Sequence, residues 1–194
     1  MNDLLVELRG ERLTLDSFYE DYRNRILTIG GPGFWKFERQ QDFQEHENSS
    51  WDAFVRGDWD EVVRLVNKRA DGLREHYQRL AAHGVTANRV RVVAEPISRY
   101  LQWELHSLRQ RAECGERISV IGPEHIAQYE QYGELPEIIV LGNDAVYRVL
   151  YTDDGFAEGA IRSVYRDAVA QWQGFIESLH SRGESIGRFF DRKV

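Results

Sequence analysis

The spacing of apolar positions changes several times along the chain, and each change marks an element. From Phe34 to Phe43 the odd positions read Trp35, Phe37, Arg39, Gln41 and Phe43, the two-residue period of a half-buried strand. Arg89–Ala94 alternates again, with Val90, Val92 and Ala94 on one face and Arg89, Arg91 and Val93 on the other. Ile118–Ile121 is a short strand. Residues 138–141, 145–151 and 156–161 are strand-like runs separated by Gly142-Asn143-Asp144 and Asp153-Asp154-Gly155. Asp-Gly is a hairpin signal, so the spacing predicts a meander of three adjacent strands.

Between these runs the period becomes helical. Asp58-x-x-Glu61 has the form of a capping box. It opens a helix expected to reach about Ala82, with Val62, Val66, Leu73, Tyr77 and Leu80 on one face and Gly84 as its stop. Pro96 sits in the expected first turn of a helix whose stripe is Ile97, Leu101, Leu105, Leu108 and Ala112, ended by Gly115. A helix is predicted from Pro123 to Tyr132, and a final one capped by Ser163 carries Val164, Ala168, Trp172, Phe175 and Leu179. Asp16 is the expected cap of a short helix that bears Phe18 and Tyr22. Gly30-Gly31-Pro32-Gly33 reads as a linker, because neither a preceding apolar strand nor a Lys-Ser/Thr pair makes it a phosphate loop. The stretch from Phe43 to Trp59 reads as an acidic loop.

These elements predict an α+β fold, a mostly antiparallel sheet of about five or six strands with long helices packed on one face. The expected organisation is an N-terminal arm (1–33), one domain (34–181) and a C-terminal tail (182–194) in which Phe189-Phe190 docks back.

Composition narrows the function classes. The 194 residues carry a net charge of −7. Residues 1–60 hold thirteen acids against seven bases, and no cluster of cations forms the face that coating nucleic acid requires. No apolar run approaches the ~20 residues of a membrane span, and the N-terminus lacks the pattern of a signal peptide. With Cys114 the lone cysteine, a cytoplasmic location is expected.

Four blocks carry a family resemblance: Arg89–Leu105, centred on Arg-Val-x-Val-Val-x-x-Pro-x-Ser-x-Tyr-x-x-x-Glu-Leu; Phe34-Trp35-Lys36-Phe37-Glu38; Leu135–Leu141; and Tyr151–Phe156. Together they resemble an actinobacterial domain-of-unknown-function family of the DUF 6879 type, over roughly residues 34–172. Members are often encoded beside helix-turn-helix regulators, so the resemblance implies a regulatory context. It carries no catalytic residues.

The residues themselves offer one junction and one cluster. A chain that leaves a strand and enters a helix at Val93–Tyr100 aims free backbone N–H groups at one point, and Arg99 would add a guanidinium fork for an anion. Glu95 at the expected N-cap would instead satisfy those donors itself. Tyr100, Glu104 and Arg111 flank the apolar stripe of the helix. With Arg91 they form either a satisfied ion-pair network or the floor of a polar pocket with Trp35 or Trp103 as a stacking wall. The ligand-binding candidates are therefore Arg91, Arg99, Tyr100, Trp35, Trp103 and Glu38. The six histidines and Cys114 show no metal-ligand spacing, so no metal and no cofactor is expected.

The expected function is a cytoplasmic binding or regulatory module for a small anionic ligand or a regulatory protein. The alternative is a small cofactor-independent enzyme in which Glu104 or Glu95 is the general base and Arg91 and Arg99 anchor an anionic substrate. The wide apolar arc of the last helix (Val169, Trp172, Phe175, Ile176) adds the expectation of a homodimer through that helix.

Overall fold

The computed structural model describes residues 8–29, 31–45 and 47–194; Met1–Glu7, Gly30 and His46, which belong to the terminus, linker and loop read above, lie outside the described residues. The elements are β1 (Glu11–Thr14), α1 (Leu15–Ile26), β2 (Phe34–Glu38), α2 (Ser49–Val55), α3 (Trp59–Lys68), α4 (Ala70–Ala82), β3 (Ala87–Val92), α5 (Arg99–Cys114), β4 (Arg117–Ile121), β5 (Ile138–Leu141), β6 (Ala145–Tyr151), β7 (Ala157–Ser163), α6 (Arg166–Arg182), β8 (Glu184–Ser185) and α7 (Ile186–Lys193).

The α+β class is as expected, but the sheet is not. It is mixed and has eight strands, in the order β1-β7-β6-β5-β2-β3-β4-β8. β2, β3 and β4 run parallel, Phe37 beside Val90 and Val90 beside Ser119. Helices lie between these strands in sequence, and a crossover of that length lets the next strand run in the same direction. The meander is present as predicted: β5 pairs with β6 and β6 with β7, both antiparallel. The two extra strands are the polar edge pieces β1, on β7, and β8, on β4.

Helices cover both faces, not one. α6 buries Val169, Trp172, Ile176 and Leu179 against Phe37, Val90, Val92, Ile138 and Val140. On the other face α5 brings Leu101, Leu105 and Leu108 onto Ile118 and Val120. Beside it α1 and α4 bring Phe18, Tyr77 and Leu80 onto Phe34, Ile139, Leu141 and Tyr147. Burying both faces of its middle strands is what gives the central sheet its nearly continuous apolar runs. Residues 11–26 add a strand and a helix to this same sheet, and Phe189 of the last helix is buried in the α5 layer.

Several boundaries move for identifiable reasons. β2 stops at Glu38 because the next two N–H groups, of Arg39 and Gln40, donate to the Glu137 carboxylate at 2.6 and 2.8 Å rather than to a neighbouring strand. The helix predicted over 58–82 is two helices, interrupted at Arg69. Asn48 Oδ1 accepts from Trp51 N and nucleates α2 inside the stretch read as loop. The helix expected from Pro96 begins at Arg99, capped by Ser98 and preceded by a cis Glu95–Pro96 bond. Residues 123–132 form only two short 3-10 turns. Ser163 belongs to β7 and α6 starts three residues later; Thr14, not Asp16, caps α1.

Candidate functional site

Because β2 and β3 are parallel and in register, Lys36 lies beside Arg89 and Glu38 beside Arg91. All four side chains point to the α5 face, opposite Phe37, Val90 and Val92. Charges on a buried sheet face must be matched, and these are. Lys36 Nζ meets Glu38 Oε1 at 2.5 Å. Arg89 bridges Glu38 Oε2 at 2.7 Å and Glu116 Oε1 at 2.8 Å. Tyr77 Oη donates to the second Glu116 oxygen at 2.5 Å. Arg91 Nε donates to Glu104 Oε2 at 2.8 Å, and its Nη1 donates to the carbonyls of Glu38 and Val92. Tyr100 Oη donates to Glu45 at 2.8 Å and lies 3.4 Å from Glu104 Oε1.

These contacts separate the acids. Burial raises the Glu38 pKa, but Arg89, Lys36 and Arg91 overcome it and hold the group far below the usual carboxylate range. Burial likewise opposes Arg89 and Arg111 at Glu116, and again the cations win. At Glu104 burial prevails over Arg91, helped by repulsion from Glu38, and the pKa rises. Glu137 is next to Glu38 across the β2–β5 edge. Burial and then Glu38 raise its pKa to about 7, and its Oε2 is buried with no hydrogen-bond partner among the described residues.

Above this network the helices do not close. A cleft of about 360 Å³ opens between α5, Phe43, Gln44, Glu45 and Asn48, and the α3–α4 junction, with Lys36, Glu38 and Arg89 in its floor. It runs into a second chamber of about 340 Å³ under α1 and α4, lined by Phe18, Tyr22, Phe34, Leu80, Ile139 and Val149. Lys36, Arg89, Arg111, Tyr19, Tyr151 and Ala157 line both.

The unused hydrogen-bonding capacity of the cleft is mostly in donors: its cations, its hydroxyls and the buried Trp103 indole N–H. Glu38 and Glu116 each accept from protein donors at both oxygens, and Glu104 Oε2 accepts from Arg91. The Arg69 guanidinium, exposed at the rim, makes no hydrogen bond or ion pair with any described residue. The cleft wall strips some of its water and Arg111 repels it, and both lower its pKa. Arg111 reaches only Tyr77 Oη at 3.3 Å and Glu116 at 3.8 Å, through one terminal nitrogen. The Tyr19, Tyr22 and Tyr151 hydroxyls also have no hydrogen-bond partner among the described residues. Burial, followed by Glu116, pushes the Tyr22 phenol up to about 12, so it stays a neutral donor.

Of the residues singled out in sequence, Glu38, Tyr100, Trp103 and Glu104 line this cleft. Arg91 lies beneath it, 0% exposed, with Phe43 over its guanidinium. Trp35 is on the opposite face, its ring edge-on to His180 and its indole N–H donating to Pro32 O. Arg99 is exposed over the Phe54 ring, and exposed Glu95 pairs with Lys193. At the Val93–Tyr100 junction the first two backbone donors are taken and the Ser98 hydroxyl caps the helix that follows. Ala94 N donates to Gln41 Oε1, Val93 N to Ile121 O, and Leu101 N to Ser98 Oγ. The Glu95 side chain is not the cap.

Arg69, Tyr19, Tyr151 and Glu137 were not legible as site residues. Arg89 carried a signal, its alternation with Arg91 on one strand face. Among the described residues no three His, Cys, Asp or Glu side chains gather to hold a metal ion, and no helix is long and apolar enough to cross a membrane.

No curated protein and no solved structure matches the chain. The family whose description reads Domain of unknown function (DUF6879) matches residues 23–191, nearly the whole of the layered sheet and its cleft. The chain belongs to this family.

Proposed function

We propose that the chain is a binding module whose ligand is a small anion, held in the α5-face cleft between Arg69 and Arg111. One observation carries the reading. Glu38 in the cleft floor and Glu116 beside it are already matched by protein donors at both oxygens, while these two guanidiniums face the same opening with donors to spare. A guanidinium with unused N–H groups is matched by a carboxylate or phosphate. The regulatory role and the link to helix-turn-helix regulators rest on the family resemblance, the cytoplasmic location rests on the lone cysteine Cys114, and all three are part of the same proposal.

Catalysis is the second reading, and the raised pKa of Glu104 is what favours it. A general base needs a free oxygen. Glu104 is buried and has one oxygen tied to Arg91, which the fold holds rigidly beneath the cleft, so the binding reading is preferred.

Titration with pyrophosphate and with citrate, followed by thermal unfolding, tests the proposal. A bound anion raises the midpoint with concentration by mass action. The wild type is expected to gain several degrees at millimolar anion, and R69A/R111A to gain none. Equal gains in both proteins, or none in either, would remove the anion site.

Association is proposed in a narrower form than the sequence suggested. Val169, Trp172 and Ile176 of α6 are buried on the sheet, which leaves Val164 and Tyr165 as the exposed apolar groups at its start. A two-fold contact there is expected to double the 22.7 kDa chain mass in sedimentation at micromolar concentration. A mass of one chain at every concentration eliminates it.

A further inference from the structure

We infer that the ligand is an aromatic anion: its charged group rests at the seam of the two chambers, and its flat ring enters the chamber under α1 and α4. The inference rests on the anion reading above and deepens it. Arg111, Tyr19 and Tyr151, a cation and two hydroxyls with unused hydrogen bonds, line both chambers, together with Lys36 and Arg89. Beyond the seam the lining changes character. Leu80, Ile139 and Val149 supply apolar surface, and Phe18, Tyr22 and Phe34 present their rings at mutual angles.

Tilted rings around an open volume are suited to receiving another ring edge-to-face. The chamber of about 340 Å³ has the size of a small-ligand pocket. The Tyr22 hydroxyl has no partner among the described residues and supplies one polar contact inside it. An inorganic anion would leave this chamber unfilled. An aliphatic chain would fill it without using the ring geometry or the hydroxyl. A cation is disfavoured, because the seam is lined by Lys36, Arg89 and Arg111, and Glu116 is already taken by Arg89 and Tyr77.

The test uses 1-naphthyl phosphate, inorganic phosphate and 1-naphthol against the full chain in calorimetric titration. Naphthyl phosphate is expected to bind at least about tenfold more tightly than inorganic phosphate, because ring burial adds to the charge contact. V149W, which fills the chamber from β6, should abolish that preference while leaving phosphate binding intact. Naphthyl emission gives a second reading on the wild type alone. A ring in the chamber shifts to the blue and is protected from iodide quenching, and a ring left in water does neither.

Equal affinities for the two phosphates, or a quenchable unshifted ring, would overturn the aromatic inference and leave the anion reading standing. A V149W protein that folds and keeps the preference overturns it as well. Tight binding of 1-naphthol with no gain from the phosphate would overturn the seam as the charge site. Failure of both phosphates to bind removes the anion reading itself, and this inference with it.

Discussion

Replacing Arg91 with alanine will cost about 3–5 kcal/mol of unfolding free energy in urea titration, a large part of the roughly 5–15 kcal/mol that holds a typical domain together. Arg91 is fully buried, and its Nε lies 2.8 Å from a Glu104 that is itself buried. Truncation removes the cation and leaves the Glu104 carboxylate without a charge partner in a site that already disfavours its ionised form. The carbonyls of Glu38 and Val92 lose a donor too. A second substitution separates this account from simple loss of packing. In R91M/E104M both charges go and the volume stays, so most of the loss should return. The buried pair is not perfectly satisfied to begin with: Arg91 Nη2 has no hydrogen-bond partner among the described residues. A cost below about 1 kcal/mol for R91A would show that the pair behaves as a solvated one, and would defeat the burial argument for the whole network.

The placement of Arg91 also shows where sequence reading stops. Alternation over Arg89–Ala94 correctly separated the arginine face from the valine face of β3, because the side-chain period of a strand is fixed at two. It could not say that the arginine face would be covered by α5, since buried and solvated charge rows look alike in sequence. The sheet was read too small because β1 and β8 are short polar edge strands, Glu-Arg-Leu-Thr and Glu-Ser, with no apolar alternation to announce them. The interruption at Arg69 was hidden for a geometric reason. Val62, Val66, Leu73, Tyr77 and Leu80 keep one helical phase across it, and Arg69 itself stays right-handed at φ −82° and ψ −9°. No proline marks the loosened turn, and Gly72 falls three residues later inside α4, so a rim arginine of the cleft appeared to be one more exposed residue on a long helix. Trp35 failed as a stacking wall for the opposite reason: its alternation with Lys36 is plain in the sequence, and it places the two on different faces.

Glutamine at position 137 should make the protein more stable in alkali while changing little in acid. Glu137 Oε1 accepts two backbone N–H groups, but Oε2 is buried without a partner. Burial, then repulsion from Glu38, raises its pKa from 4.5 to about 7. Between those values the folded chain holds a proton that the unfolded chain has released. Unfolding free energy therefore falls as pH rises through the window and levels off above it. The raised pKa corresponds to a cost of up to about 3 kcal/mol at pH 8. E137Q keeps the acceptor for Arg39 N and Gln40 N and carries no charge, so it escapes that cost. Its amide nitrogen would occupy the place of the unpartnered oxygen at a penalty of about 1 kcal/mol, which enters at every pH and cancels from the comparison. The quantity to measure is the difference between E137Q and wild type in urea unfolding, taken at pH 4.5 and at pH 8. A difference that moves in favour of E137Q across the window is expected. One that is constant, or moves the other way, would show that Glu137 is ionised in the folded protein throughout, with a counter-charge closer than the bonds of Arg91 to Glu104, Glu38 and Val92 allow.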